Sequence, residues 1–246
     1  MIKDKLTVMI STCDKYSVLW EDFEYFFKKN WHLKCDVILV SETINNKSFK
    51  TITPGSNSWG LRNLKALEEV NTELVFWILD DYFLCDPFTI DNLKRYIEDF
   101  LKLGMDRLQI SPKGFKKQVY SFDFPNKDLS PKFSYKKIKS DSEYSISMQP
   151  SIWRKSYIME VLKPEYSPWQ FEVEGSKLNR SPNIYWDDSI KFHPYFNAVR
   201  KKNIINLSKI IGAIDKLIGK IFYTNLPFKY SKGYKSFLKA HKPKDE

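Results

Sequence analysis

Three short apolar runs restrict the folds open to this chain more than any other feature: Leu6 to Ser11 (LTVMIS), Asp36 to Val40 (DVILV) and Leu74 to Leu79 (LVFWIL). Each is short, rich in β formers and apolar nearly throughout, the pattern of a strand covered on both faces. Helical segments separate them. Val18 to Lys29 is one; Ser58 to Val70 is another, with Ser58 as a cap and Leu61, Leu64 and Leu67 spaced to make one apolar face. Asp86-Pro87 breaks the chain, and Thr89 begins a helix through about Leu103 with Ile90, Leu93 and Ile97 on its inner side. Gly104 stops that helix, and Arg107 to Ser111 (RLQIS) supplies one more strand. This alternation over residues 1–111 predicts an α/β fold with a mostly parallel central sheet flanked by helices, in which ligands bind outside the carboxyl ends of the strands. The rule points at the Thr12 to Asp14 loop, the Ser41-Glu42 end and Asp80-Asp81.

The chain has 246 residues, 42% of them apolar, enough to bury a full core in one large domain. From Pro112 to about Ser145 the composition turns to Lys, Ser, Asp and aromatic residues with little period, which predicts a long loop or irregular hairpins able to cover a substrate. Order returns at Met148 to Leu162. The formal charge of +10 calls for an anionic partner: a nucleotide-sugar phosphate, a lipid-linked phosphate, an acidic membrane surface or nucleic acid. Cys13, Cys35 and Cys85 are odd in number and form no C-x-x-C pair, which argues against a disulfide framework or zinc ribbon and for a reducing cytosol. Met1 to Lys5 lacks the features of a secretory signal, and no window reaches the roughly 18 apolar residues of a spanning helix. A cytoplasmic protein, soluble or peripheral on the membrane's inner face, is expected.

Asp80 and Asp81 follow directly on the apolar run Val75 to Leu79 and are followed by Tyr82, Phe83 and Leu84. Two like charges in a confined place raise a pKa unless a cation joins them, and hard oxygen ligands suit Mg²⁺ or Mn²⁺ on a diphosphate. The plainer alternative is an acidic turn.

The first strand with Thr12-Cys13-Asp14, together with WILDDYF, resembles the GT-A glycosyltransferases and their DxD-type turn. The resemblance covers roughly residues 6–195 and implies a Rossmann-like GT-A fold. It implies that the first loop, with Thr12 and Asp14, holds a nucleotide; that Glu42, Asp80 and Asp81 share the donor site; and that Asp81 meets a metal, with a late histidine, His193, as a second ligand. Arg62, at the helix start Trp59 to Asn63, would meet the diphosphate. The sequence departs from the family in lacking the Asp-x-Asp spacing, so a metal-independent site stays open beside Mn²⁺ or Mg²⁺.

Pro168 to Ser176 (PWQFEVEGS) sets an acid between bulky aromatics in what is read as a Pro/Gly-bounded turn, and it resembles the acceptor-side acidic motif of inverting GT-A enzymes. By that resemblance Glu172, favoured over Glu174, deprotonates the acceptor hydroxyl, its apolar surroundings raising its pKa. A carboxylate that only holds a loop is the alternative. Trp169 and Trp153 suit sugar stacking, unless they are core, and Gln149, Ser151 and Arg154 are candidates to line the acceptor side.

The resemblance divides the chain into a GT-A catalytic domain, residues 1–200, with a nucleotide-sugar half (1–111) and an acceptor half (112–200), and a segment 201–246. In the last, Ile204 to Tyr223 is an amphipathic helix, suited to pack on the domain, on a second subunit as a homodimer, or on an anionic membrane, followed by a basic, aromatic tail. The implied activity is transfer of a sugar from a nucleotide-diphosphate sugar to a glycan, with a lipid-linked capsule or lipopolysaccharide precursor as acceptor and Glu172 as base. A nucleotidyltransferase acting on a sugar phosphate would want a glycine-rich loop after Ser11, which is absent. A nucleic-acid-binding module would leave Asp80-Asp81 unexplained; nucleic acid is not expected as a partner.

Overall fold

The computed structural model describes residues 4–55, 58–84, 90–111, 133–190 and 195–199. The three apolar runs are β1 (Leu6–Ser11), β2 (Asp36–Val40) and β4 (Leu74–Leu79), and a short β3 (Lys50–Ile52) lies outside β2. β1 runs parallel to β2 and β4, and β2 to β3, which makes one parallel block. Beyond β4 the sheet continues through β8 (Ser151–Arg154), β6 (Arg107–Gln109), β9 (Ile184–Asp187) and β7 (Tyr135–Lys137). β8 is antiparallel to both β4 and β6, β9 is parallel to β6, and β7 opposes β9. Only β7 and β8 therefore run against the common direction, and the mostly parallel sheet is as expected. Because β8 enters between β4 and β6, the two halves of the sequence share one sheet.

The pleat explains the unbroken apolar runs. Leu6, Val8 and Ile10 of β1, with Leu74, Phe76 and Ile78 of β4, face a core shared with α1 (Trp20–Asn30) and α3 (Ile90–Lys102). Met9, Val75 and Trp77 point the other way, toward α2 (Trp59–Glu68), α4 (Lys155–Val161) and α5 (Pro168–Leu178). A strand with helices on both faces has no solvent side on which to alternate.

Two local expectations are corrected. Ser58 does cap α2, accepting from the Leu61 amide at 3.3 Å, but the buried stripe is Trp59, Arg62, Asn63, Ala66 and Leu67, so that of the expected Leu61, Leu64 and Leu67 face only Leu67 is fully buried and the other two are half-buried. Its first turn looks into the polar edge of the sheet, so the buried face carries an arginine and an asparagine. Pro168 to Ser176 is no turn: it lies within α5, whose Ser167 and Gln170 form a reciprocal capping box with proline in the first turn.

Past β4 the chain turns at Asp80-Asp81 into β5 (Tyr82–Leu84), which pairs antiparallel with β10 (Tyr195–Asn197). Among the described residues no helix is long and apolar enough to cross a membrane. Residues 112–132, which hold most of the expected covering loop, and the amphipathic segment 201–246 lie outside the described residues.

Candidate active site

The carboxyl ends of β1, β2 and β4 converge, with Thr12 N–H donating to Val40 O at 3.0 Å and Asp80 N–H to Ser11 O at 3.4 Å. Here the Thr12 hydroxyl donates to Asp80 Oδ2, and the Trp20 indole N–H reaches both, at 3.1 Å to Thr12 Oγ1 and 3.2 Å to Asp80 Oδ2. Asp80 is buried, and burial with the adjacent Asp81 charge pushes its pKa well up, only partly opposed by the Thr12 and Trp20 hydrogen bonds. Thr12 and Asp80 therefore brace one another inside the edge of the sheet.

Asp81 stands one residue further out and is half-buried. Its Oδ1 is shielded from solvent with no hydrogen-bond partner among the described residues, and burial raises its pKa to about 7. Tyr16, on the short 3-10 turn Asp14–Leu19, keeps its phenolic proton because of burial first and the nearby Asp81 carboxylate second. Cys13 is likewise pushed up, to about 12, by burial and then Asp80, so it is a neutral thiol.

Asp14 does not face an open nucleotide site. Its Oδ1 accepts from the amides of Glu42, Thr43 and Ile44 at 3.1, 3.1 and 3.2 Å, and its Oδ2 from the Thr43 hydroxyl at 2.5 Å. Both oxygens are committed to the loop after β2, and the expected base or ribose contact is corrected to a clasp between two loops. Arg62 is buried behind that clasp, with its Nη1 3.3 Å from Glu42 Oε1 and its Nη2 3.5 Å from Thr12 O. Instead of pointing into solvent toward a diphosphate, Arg62 forms a half-buried ion pair with Glu42 at the base of the loop after β2.

On the far side of β5, Glu172 of α5 accepts from the Met148 amide at 2.7 Å, and burial raises its pKa, opposed by that hydrogen bond and by Arg107. Gln149, next to Met148 in the chain, is buried, its Oε1 accepting from the Tyr195 and Ser111 hydroxyls. Tyr82 packs against Tyr195 with the rings tilted and their centroids 4.4 Å apart, and its phenol holds its proton through burial, with Tyr195, Asp81 and Glu172 near enough to disfavour the phenolate further. Tyr82 thus lies within the electrostatic reach of both carboxylates. Trp169, one helical turn before Glu172, is 55% exposed and meets Tyr144, itself 42% exposed, edge-on at 6.4 Å.

Two acceptor candidates are corrected by the course of β8. Trp153 is 1% exposed and packs among Trp77, Tyr157 and Phe171, so no sugar can reach its ring. Arg154 pairs in register with Leu74, at the start of β4 and hence at the opposite edge of the sheet, where it bonds Glu73 and Asp106. Ser151, three positions earlier, pairs with Trp77 and its hydroxyl donates to Gln149 O at 2.7 Å. Asp187 serves structure: it is buried and accepts from Tyr96, Ser189 and Ser134.

No family model and no curated protein matches this sequence. The fold does find relatives. S. aureus TarS residues 1–349 in complex with UDP-GlcNAc superposes with a TM-score of 0.54 at 16% identity, over 82% of this chain and 60% of that one. The same piece without ligand gives 0.52 at 16% identity over 78% and 59%, and the longer TarS chain 0.54 at 17% over 87% and 40%. The fold is shared with TarS. This chain spans about 60% of the shorter TarS piece and 40% of the longer.

Thr12, Asp80 and Asp81 are thus brought together, with Glu172 and Gln149 across Tyr82, while His193 lies outside the described residues. Among the described residues no three acidic, histidine or cysteine side chains converge as a metal cage. Sequence reasoning missed Tyr16, Trp20, Tyr82 and Tyr195. The signal available for Tyr82 was its place directly after the acids; Tyr16 and Trp20 follow the first strand's loop at helical spacing but carry no chemistry of their own to mark them.

Proposed function

We propose that this protein is a glycosyltransferase that binds a nucleotide-diphosphate sugar at the carboxyl ends of β1, β2 and β4 and passes the sugar to a hydroxyl of a glycan acceptor held beside α5. The observation that carries this reading is the pair Asp81 and Glu172: two carboxylates of raised proton affinity, both felt at the Tyr82 phenol, at the ligand-binding edge of a glycosyltransferase fold. Glu172 takes the proton of the acceptor hydroxyl as its oxygen bonds to the anomeric carbon. The bond from that carbon to the diphosphate breaks, the nucleoside diphosphate leaves with the electron pair, and the configuration inverts.

Asp81 Oδ1, buried and without a hydrogen-bond partner among the described residues, suits one hard cation ligand, the rest coming from donor phosphate oxygens. Mn²⁺ or Mg²⁺ there would neutralise charge on the departing diphosphate. The exposed Trp169 and Tyr144 rings, one helical turn from Glu172, give an acceptor sugar an apolar face to lie on. The net charge of +10 favours an anionic, lipid-linked acceptor such as a precursor of a bacterial capsule or lipopolysaccharide.

Thermal-shift measurements with UDP-, GDP-, CMP- and dTDP-sugars, each with and without Mn²⁺, test the donor and the metal, with UDP-GlcNAc the first choice because TarS binds it. Stabilisation by one nucleotide class, with sugar transfer or donor hydrolysis lost in Asp81→Ala and Glu172→Ala, supports the mechanism. Retention of both activities in both variants would refute it.

A further inference from the structure

Arg107, at the start of β6, is fully buried, and among the described residues no carboxylate lies within ion-pair distance of it. Burial lowers its pKa to about 9, so it stays a cation at neutral pH. An unpaired buried guanidinium is costly, and a chain that needed only a hydrogen-bond donor here could use a neutral amide.

What the side chain touches gives a reason for the charge. Its Nη1 donates to Ser145 O at 3.1 Å; its Nη2 donates to Ser147 O at 3.2 Å, Ser147 Oγ at 2.6 Å and Gln109 Oε1 at 3.0 Å; and its plane lies 4.9 Å from the Trp153 ring. Three of these bonds end on the strap formed by residues 145–149. From its other side α5 holds the same strap, through Ile146 N–H to Ser176 Oγ at 3.0 Å and Met148 N–H to Glu172 Oε1 at 2.7 Å. The strap is gripped between a buried cation and the helix that carries Glu172.

We infer that Arg107 is a positioning residue for Glu172: from inside the sheet it fixes the strap whose Met148 amide holds the carboxylate, and it supplies the positive charge that faces it. The groups acting on Glu172 are then the Met148 amide of the strap, Arg107 of β6 and, from β5, Tyr82, whose phenol stays protonated. Arg107 and the Met148 amide both favour the ionised carboxylate and oppose its burial. The inference rests on Glu172 being the base; its test does not.

The test is a carboxyl ¹³C NMR titration of the protein labelled at glutamate, with the Glu172 signal identified by its loss in Glu172→Gln. In Arg107→Gln the Glu172 midpoint should rise by at least about half a pH unit, and Arg107→Lys, which keeps the charge, should return it most of the way. An unchanged midpoint in Arg107→Gln, or the same rise in Arg107→Lys, overturns the inference. If Arg107→Gln does not fold, Ser147→Ala removes the 2.6 Å anchor and carries the test in the same direction: a rise supports the grip on the strap, and no change overturns it. Full sugar transfer in Glu172→Gln would instead defeat the base assignment and leave the titration result standing.

Discussion

Asp14 and Glu42 hold each other reciprocally: the Asp14 amide donates to Glu42 Oε2 at 2.9 Å, and the Glu42 amide donates to Asp14 Oδ1 at 3.1 Å. The exchange locks the loop after β1 to the loop after β2, and Arg62 stands behind it on Glu42 Oε1. The carboxyl edge of β1 and β2 is in this way held in shape by the chain's own side chains.

Asp14→Ala should cost about 1 kcal/mol, the net worth of charge-assisted hydrogen bonds whose half-exposed donors in residues 42–44 can turn to water once the carboxylate is gone. Burial pushes the Asp14 pKa up, but the bonds from Thr43, Ile44 and Glu42 outweigh it and hold it below the usual carboxylate value. The stabilisation is therefore fully present above the unfolded-state pKa and disappears as pH falls through the folded one. Urea unfolding of wild type and Asp14→Ala at pH 7 and pH 3 measures this, and the gap between the two proteins should be narrower at the lower pH.

Asp81 carries the opposite sign. Its folded pKa, near 7, lies above the unfolded value of 3.8, so the ligand-free protein loses stability as pH rises between them. Asp81→Asn should be more stable than wild type at pH 8 by about 1–3 kcal/mol, nearly equal at pH 4, and deficient in transfer. Denaturant melts at the two pH values, with an activity assay, check all three.

Glu172 titrates above the ordinary glutamate value because of burial. As a base it must be ionised, so kcat/KM should fall as pH drops through that raised pKa, the acid limb ending above the usual carboxylate range. Glu172→Gln should lower kcat about 10²- to 10⁴-fold and abolish that limb, with donor affinity measured by calorimetry unchanged.

Gly60 lets α2 lie against the chain before α5: its amide donates to Tyr166 O at 2.9 Å and the Leu61 amide to Pro164 O at 3.0 Å. A Cβ at this position would overlap the Lys163 carbonyl oxygen and approach Pro164 O to 2.9 Å, both of them backbone atoms that cannot swing aside. Gly60→Ala should destabilise by about 1–3 kcal/mol or more, visible as a lowered melting temperature, and should weaken transfer by shifting α5.

Legibility in the sequence followed the strength of local signals. β1, β2 and β4 could be read because strands buried on both faces leave unbroken apolar runs, and the acidic turn because it ends one of them. α5 was read as a turn because Pro168 and Gly175 look like breakers. Yet Pro168 sits at the first position, where a missing amide hydrogen costs nothing, and Gly175 packs against Ile146, where its Cβ would come within 3.2 Å. The Ser167-x-x-Gln170 box was the better guide. Trp153 and Arg154 were misplaced for a different reason: in an antiparallel β8 each residue beyond Ser151 moves away from the carboxyl edge, and strand direction is not written in composition. Arg107 could not be singled out in the sequence because the strap it bonds, at Ser145 and Ser147, lies some 40 positions further along the chain.

β10 has a consequence for how the protein is made. The strand Tyr195–Asn197 pairs with β5, Tyr195 lies on Tyr82, and the Ala198 amide donates to Asp81 O at 2.7 Å. A nascent chain emerging from the ribosome displays the acidic turn early, along with the first parallel strands, but that turn lacks its outer wall until residue 198 is also free. Synthesis at about 5–20 residues per second puts several seconds between the two events. Throughout that interval the growing polypeptide carries the acids without the strand that pairs with β5 and without the Ala198 amide that bonds the backbone of Asp81.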